Sequence, residues 1–227
     1  MASGVRFDEA GEDVTRIRSA IAREGLIVAL QKLPRDAPPG SRFHYSSADT
    51  AVLGAVLAGA AKSSVAQYLE PRLWQAIGAE QPATWRADRT GLEVTYGNFS
   101  ATLRDFARLG VVLANDGARP DLGGRQVIPR EVMLDATDWN RVPPLFQPPR
   151  ADGLLGYGYQ VWLLPGTPRR FVLLGVYGQS IFVAPDLRLA VVQTGVSAER
   201  YASQSSLAAD RFAFWRGIVS HYGGALK

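Results

Sequence analysis

The sequence has 227 residues, of which 47% are hydrophobic and 20% are charged, and it contains no cysteine. This composition is typical of a globular protein and excludes collagen, coiled coils and extensive disorder. Without cysteine there is no disulfide framework, no Cys-ligated zinc site and no thiol nucleophile. The net charge is +4, but Arg169-Arg170 is the only adjacent basic pair, so the charge pattern argues against nucleic-acid binding.

The sequence shows no membrane or cofactor signal. The longest apolar run, from Ala51 to Ala61, is too short to cross a bilayer. The first residues lack the cationic start and apolar stretch of a signal peptide. We therefore expect a protein that is not bound to a membrane, has a cytoplasmic location and needs no metal or organic cofactor.

The first part of the chain has helical patterns. Residues 12–31 alternate apolar and charged positions at helical spacing, which predicts one helix. Ser47 or Asp49 is expected to cap a buried helix that runs through Ala60, and Ser64 is expected to cap the next.

The clearest amphipathic helix is predicted after Ser100 and before the stop signal Asn115-Asp116-Gly117. Its apolar face is expected to consist of Leu103, Phe106, Gly110 and Leu113.

Near residue 145 the pattern changes from helical to extended. Four β-branched or aromatic runs separated by turn residues predict an antiparallel meander: 157–164, 171–176, 179–183 and 189–193. A last helix, Ser203 to His221, is expected to pack Phe212, Trp215 and Val219 onto the sheet. The fold class is therefore α+β, with a helical part over 1–145 and strands with a closing helix over 146–227 of the same domain.

One segment carries more functional information than the rest. Tyr45 comes directly before a predicted helix and is followed by Ser46 and Ser47, so its phenol can project from a fixed position, although most tyrosines in such a place only anchor a loop. The two histidines, His44 and His221, fit structural or exposed roles better than a Ser-His-Asp triad. The sequence contains no Gly-x-Ser-x-Gly, Walker A, His-Glu-x-x-His or Rossmann glycine pattern.

The segment around Tyr45 resembles the Tyr-x-Asn/Ser motif of the serine β-lactamase and penicillin-binding-protein superfamily. It is most similar to the class C-related branch that holds family VIII esterases and 6-aminohexanoate-dimer hydrolases. The resemblance continues in order along the chain, through 68–81, 100–110, 156–162 and 175–179.

The resemblance implies a partial β-lactamase/transpeptidase-like fold and an acyl-enzyme mechanism on a small amide or ester. In that superfamily the serine of Ser-x-x-Lys is the nucleophile and the tyrosine is a general base beside the lysine. Tyr45 matches that base, and 175–179 matches the third motif, whose backbone N–H groups help to form the oxyanion hole. The substrate contacts that the resemblance implies are Ser47, Trp162, Tyr177, Gly178 and Gln179. Trp162 and Tyr177 would line the pocket wall, and the alternative for both is an aromatic strand residue in the core.

Lysine is the scarce residue in this chain. Its three lysines, Lys32, Lys62 and Lys227, are preceded three positions earlier by Ala or Gly, so no Ser-x-x-Lys occurs. In the family this motif lies upstream of a segment that resembles residues 1–9. We therefore expect the chain to be the C-terminal part of a longer hydrolase and to be inactive alone.

Two departures from the family pattern affect the expected substrate. The motif is Tyr-Ser-Ser rather than Tyr-Ser-Asn, and Tyr177 stands where the branch commonly has Gly. No Lys-Thr-Gly is present, which favours an amidase or esterase over a β-lactamase.

Two further expectations follow from the missing motif. The alternative function is a non-catalytic remnant or binding domain with the same partial fold. Because such a chain holds only part of the family's sheet, we also expect self-association through an exposed sheet edge.

Overall fold

The computed structural model describes residues 1–148, 155–196 and 207–225, and only the backbone of residues 207 and 208. These residues form two compact units, each of which is described by itself. Unit 1 comprises Met1–Ala76 and Pro82–Ala101, and unit 2 comprises Ile77–Gln81 and Thr102–Lys227. The division at residue 145 stays a prediction.

Unit 1 is mainly helical. Its core contains the buried side chains of Phe7, Ile17, Leu26 and Val94, together with their neighbours. Its elements are α1 (Glu12–Arg23), α2 (Leu26–Gln31), α3 (Ser47–Ala61), α4 (Val65–Leu69), a π-helical turn (Glu70–Trp74), and the antiparallel pair β1 (Thr84–Trp85) and β2 (Phe99–Ser100).

Three helix predictions for unit 1 need correction. The single helix predicted over 12–31 is divided because Gly25 has a φ of +91°, which a helix cannot contain. The cap of α3 is Ser46, not Ser47 or Asp49, because the Ser46 hydroxyl accepts the Asp49 N–H. Helix α3 is also not buried all round, since Val56 is 61% exposed.

Ser64 caps α4 as predicted. Its side chain accepts the Gln67 N–H, and the Gln67 side chain accepts the Ser64 N–H, which is a complete capping box. The regular α-helix ends at Leu69, and Glu70–Trp74 continues as the π-helical turn.

Unit 2 contains the predicted antiparallel meander. The strands are hydrogen-bonded in sequence order, which confirms the predicted topology. Its elements are α5 (Leu103–Ala114), the pair β3 (Ala118–Arg119) and β4 (Arg125–Gln126), α6 (Arg130–Thr137), β5 (Gly156–Tyr157), β6 (Trp162–Leu164), β7 (Arg170–Leu174), β8 (Ser180–Ala184), β9 (Leu189–Gln193) and α7 (Leu207–His221).

The strand boundaries differ from the predictions at the turns. The run 157–164 is two strands, because Gly158 to Val161 form the turn between β5 and β6. Strands β7 and β8 each lie one or two residues from the predicted bounds, whereas β9 has the predicted bounds.

The five-stranded sheet is covered on both faces. Cross-strand neighbours Leu163, Phe171 and Val183 belong to the cluster that includes Leu113 of α5. The alternate residues on these strands pack with α7, where Phe182 stacks on Trp215 at a centroid distance of 4.9 Å. The two-residue alternation is what a strand needs when both faces are buried.

Helix α7 packs as predicted, and α5 does so with one exception. Phe212, Trp215 and Val219 all contact the sheet cluster, and Trp215 and Val219 are fully buried. Leu103 was expected on the buried face of α5 but is 50% exposed, because the cluster on that face begins one turn later, at Phe106. The predicted start of α7 at Ser203 lies outside the described residues.

Buried carboxylates bind the N-termini of two short helices in unit 1. Asp88 accepts the N–H of Leu26, the first residue of α2, at 2.6 Å. Glu93 accepts the N–H groups of Val65 and Ala66, the first two residues of α4, at 3.2 and 3.1 Å. Burial alone raises the pKa of both carboxyls, but these and neighbouring N–H and hydroxyl donors outweigh it and lower the pKa.

Asp105 is a buried carboxylate in unit 2 that bonds to the cap residue of α5 rather than to the N–H groups of the helix. Its side chain is fully buried and accepts the Thr102 hydroxyl at the start of α5, at 2.8 Å. It also accepts the N–H groups of Glu80 and Gln81 and pairs with Arg108. Burial raises the pKa of Asp105, but these donors lower it below its usual value. Asp105 therefore joins the segment Ile77–Gln81 to α5.

We expect Asp105→Asn to lower the free energy of unfolding by about 2–3 kcal/mol at pH 7, because an amide cannot accept all these donors. The folded pKa of Asp105 is depressed, so its contribution is present above the unfolded pKa, about 3.9, and is lost as the pH falls through the folded pKa. Urea unfolding from pH 7 to 3 should show a smaller fall in stability for the variant. The exposed Asp210→Asn is the matched control, and equal losses in both variants would contradict the assignment.

The outer edge of β9 pairs with no strand in the described part of the chain. Its residues Leu189 to Val192 are half-buried and carry no charge, proline or bulge that would block pairing. The groove between β9 and α7 is apolar and is lined by residues that include Val191, Phe214 and Ile218. This edge is the surface through which we propose self-association.

We expect the chain to elute as a dimer or larger species rather than at its monomer mass of 24.6 kDa. Val191→Lys on the open strand should shift the population to monomer, because it places a charge at the edge. Val132→Lys, on the exposed side of α6, is the control and should leave the mass unchanged. Light scattering after size exclusion measures both, and a wild-type chain that is monomeric at all concentrations contradicts the expectation.

Candidate functional site

Tyr45 stands directly before the N-cap of α3, as the sequence predicts. The cap residue, Ser46, is almost fully buried, and its hydroxyl accepts the Asp49 N–H at 3.3 Å. Tyr45 itself is half-buried. The phenol therefore extends from a backbone position that a capped 15-residue helix holds in place.

Ser47 is the first residue of α3 and is bound by the carboxylate of Glu9, which lies near the start of the chain. Its N–H donates to Oε2 of Glu9 at 2.8 Å, and its hydroxyl donates to Oε1 at 2.5 Å. The proposed contact of Ser47 with substrate stays a prediction, and in this structure the Ser47 hydroxyl is bonded to Glu9.

His44, on the other side of Tyr45, is bonded to the same N-terminal segment. Its Nε2 lies 2.6 Å from the carbonyl oxygen of Phe7. A carbonyl oxygen only accepts, so the ring carries a proton on Nε2. This contact gives His44 a structural role, as its position between Phe43 and Tyr45 predicts.

Glu9 and a second carboxylate, Asp49, were not predicted at this site from the sequence. Asp49 accepts the hydroxyl of Ser3 at 2.7 Å and the Ser3 N–H at 3.3 Å. Both contacts join segments about 40 residues apart, and neither belongs to a local motif. The local sequence indicates only that the unpaired N–H groups at the start of α3 need acceptors. It does not identify which carboxylate of the chain supplies them.

Three other predicted site residues share one turn in unit 2. Tyr177, Gly178 and Gln179 lie between β7 and β8, where the Gly175 N–H donates to the Gln179 carbonyl at 2.9 Å. The Gln179 side-chain amide donates to the carbonyl of Gly195, just past the end of β9, at 2.9 Å. The turn is thus attached both to its own hairpin and to the neighbouring strand.

Tyr177 adopts the left-handed conformation, with φ 63° and ψ 19°, and Gly178 follows with φ 106°. An L-residue pays about 1–2 kcal/mol for that region, whereas glycine adopts it freely. This geometry gives a physical reason for the glycine that the family branch commonly has at this position. The Tyr177 ring is 36% exposed.

Trp162 is placed apart from the turn, on β6. It pairs across the sheet with Val172, packs with the cluster on the α7 face and contacts the Tyr157 ring edge-on at 4.8 Å. These contacts give it a core role, and its role as a pocket wall stays a prediction. Tyr45 and Ser47 belong to unit 1, whereas Trp162 and the turn residues belong to unit 2.

The described ranges contain neither a cluster of metal-ligating side chains nor a single helix that could span a membrane. No group of three or more His, Asp or Glu side chains is arranged to hold a metal ion there. No described helix is by itself long and apolar enough to cross a membrane. Helix α3 and the Val65–Trp74 stretch reach the required length and composition only together, across a 70° bend.

Known proteins match this chain over most of its length. The beta-lactamase family model matches residues 1–200. A 6-aminohexanoate-dimer hydrolase from Paenarthrobacter ureafaciens is 28% identical over 163 aligned positions, which cover 66% of this chain and 38% of that protein.

Two solved structures are similar in fold. A Bacillus anthracis protein named as a candidate 6-aminohexanoate-dimer hydrolase has a TM-score of 0.75 at 25% identity, covering 94% of this chain and 56% of that one. A penicillin-binding protein from Bacillus halodurans has a TM-score of 0.59 at 18% identity, covering 94% and 70%. The chain thus spans 38% of the curated relative and 56% of the Bacillus anthracis protein. The matches confirm the predicted β-lactamase/transpeptidase-like α+β fold.

We expect Tyr177→Gly to be more stable than Tyr177→Ala by about 1 kcal/mol, because both remove the ring and only Ala opposes the left-handed backbone. The same pair at exposed Tyr159 should show the opposite order, with Ala more stable by about 0.5–1 kcal/mol. Urea midpoints of the four variants measure this. A Tyr177→Ala variant as stable as Tyr177→Gly would show that the turn is not left-handed at this position.

Proposed function

The chain belongs to the beta-lactamase family, and from this premise we propose that it forms the Tyr45-bearing part of a serine hydrolase. The hydrolase would resemble 6-aminohexanoate-dimer hydrolases. It would cleave a small amide or ester through an acyl-enzyme. Tyr45 would act as the general base. The nucleophile would come from a Ser-x-x-Lys motif outside these 227 residues.

The observation that carries the proposal is the placement of Tyr45. Its backbone lies at the capped start of α3. On either side, His44 is bonded to Phe7 and Ser47 is bonded to Glu9. A general base needs this fixed geometry before its pKa matters. Together with the family match, it supports the same role as the family's tyrosine.

The proposed chemistry uses the phenolate of Tyr45 to accept the proton of the serine hydroxyl. The serine oxygen then bonds to the substrate carbonyl carbon, the amine or alcohol leaves with a proton, and water hydrolyses the acyl-enzyme. An unperturbed tyrosine has a pKa of about 10 and is only about 0.1% phenolate at pH 7. An ammonium about 4 Å away, at an effective dielectric constant of about 20, contributes about 4 kcal/mol and brings a phenolate within reach of neutral pH.

The 227 residues contain no Ser-x-x-Lys motif. No serine lies three positions before Lys32, Lys62 or Lys227. The proposal therefore makes this chain inactive by itself and places its activity in a longer product that carries Ser-x-x-Lys.

The turn Gly175–Gln179 is the proposed counterpart of the third motif. Its sequence lacks Lys-Thr-Gly, and this supports an amide or ester substrate rather than a β-lactam. Tyr177, Gly178 and Gln179 would contact that substrate with Ser47 and Trp162. The relative from Paenarthrobacter ureafaciens is named a 6-aminohexanoate-dimer hydrolase, which supports a small amide as the substrate.

The alternative is a non-catalytic remnant or binding domain. The absence of Ser-x-x-Lys from the 227 residues favours it for this chain. The genomic sequence upstream of codon 1 separates the two, because an in-frame Ser-x-x-Lys favours the hydrolase and stop codons in that frame favour the remnant.

We expect Tyr45→Phe to lower kcat for a nitrophenyl ester by about 10²–10⁴-fold in the longest translation product that contains these residues, because the ring remains and only the base is lost. Tyr159→Phe, whose ring is 63% exposed, is the matched control and should keep wild-type kcat. Steady-state kinetics measure both variants.

Two results would contradict the proposal. Wild-type kcat in Tyr45→Phe would exclude Tyr45 as the base. Specific labelling of a serine in the 227-residue chain by a fluorophosphonate probe would show that the nucleophile lies within the chain.

A further inference from the structure

We propose that Glu9 is a positioning residue for Tyr45, and that Phe7–Glu9 forms a clamp on the chain around the phenol. The inference rests on the proposed function, in which Tyr45 is the base. Glu9 would not touch the substrate, and it would act by holding Ser47 and, through it, the backbone that carries Tyr45.

The clamp holds the chain on both sides of Tyr45. Before it, Nε2 of His44 donates to the Phe7 carbonyl at 2.6 Å. After it, Ser47 gives two hydrogen bonds to the two oxygens of Glu9, at 2.8 and 2.5 Å. The four residues from 44 to 47 are thus held at both ends by the three-residue segment Phe7–Glu9.

The clamp segment is anchored in the unit. The Phe7 side chain is 2% exposed and belongs to the core of unit 1. The Asp8 N–H donates to Oδ2 of Asp13, in the first turn of α1, at 2.8 Å, and the Ala10 N–H donates back to Oδ1 of Asp8 at 3.1 Å. The backbone on each side of Glu9 is therefore held in place by hydrogen bonds. Glu9 thus fixes the position of Ser47, and Ser47 does not determine the position of Glu9.

A carboxylate suits this place for two reasons. It offers two acceptor oxygens for the two Ser47 donors. Its negative charge lies at the N-terminus of α3, where the helix presents unpaired N–H groups and a positive potential. A glutamine keeps one acceptor for the Ser47 N–H and donates its own N–H to the Ser47 oxygen, whereas an alanine keeps neither bond.

The clamp is tested first in the 227-residue chain labelled with 3-fluorotyrosine. The chain has eight tyrosines, and Tyr45→Phe identifies the Tyr45 resonance by its disappearance. We expect Glu9→Ala to shift or broaden that ¹⁹F resonance and leave the others unchanged, and Glu9→Gln to restore it. Glu12→Ala, an exposed glutamate in the first turn of α1, is the matched control.

An unchanged Tyr45 resonance in Glu9→Ala, or an equal change in Glu12→Ala, would overturn the clamp. Should Glu9→Ala fail to fold, Ser47→Ala removes one of the two bonds and should give a smaller change at the same resonance. These measurements need no activity, so they decide on the clamp whether or not the hydrolase proposal holds.

Kinetics then test the link to catalysis in a longer product that hydrolyses the ester. We expect Glu9→Ala to lower kcat by about tenfold or more with KM within about twofold, because misplacing a base by a fraction of an ångström affects the transition state more than binding. Glu9→Gln should restore most of kcat. A variant Glu9→Ala with wild-type kcat, beside an inactive Tyr45→Phe, would overturn the positioning role alone.

Discussion

The positions of several loops in this protein depend on hydrogen bonds between carboxylates and the starts of helices. Asp88, Glu93 and Glu9 hold the starts of α2, α4 and α3, and Asp105 holds the start of α5 together with a separate backbone segment. A helix start leaves unpaired N–H groups that must find acceptors when they are buried. Helices α2 and α4 have six and five residues, too few to be stable without tertiary contacts.

The same interaction helps to place Tyr45, the proposed base. Tyr45 lies one residue before the cap of α3, so the helix holds its backbone from one side only. Its position depends on the contacts of the residues beside it, and these contacts come from Met1, Phe7 and Glu9. A base on a loop is usually less precise than one on a regular element, and a charged two-bond contact at the neighbouring helix start compensates for that.

How much of this could be predicted from the sequence depends on the range of the interactions. The meander and the packing of Trp215 were predictable, because alternation along a strand and helical spacing are local patterns. The position of Tyr45 before a helix was predictable for the same reason. The contact between Glu9 and Ser47 spans 38 residues, and any acidic residue would fit the local pattern, so only the folded chain identifies it. The left-handed backbone at Tyr177 was also hidden, because a tyrosine gives no signal for it.

The Tyr45 region and the turn Gly175–Gln179 therefore depend on different physical terms. The Tyr45 region depends on the two hydrogen bonds from Ser47 to Glu9, so loss of that side chain acts on it directly. The turn Gly175–Gln179 needs a backbone conformation, so the side chain at position 177 changes its energy through φ rather than through contacts. At position 177 this chain carries a tyrosine in a conformation that glycine adopts freely. Such a residue persists only where the surrounding structure holds it, and here the Gly175–Gln179 and Gln179–Gly195 hydrogen bonds hold the turn on both sides.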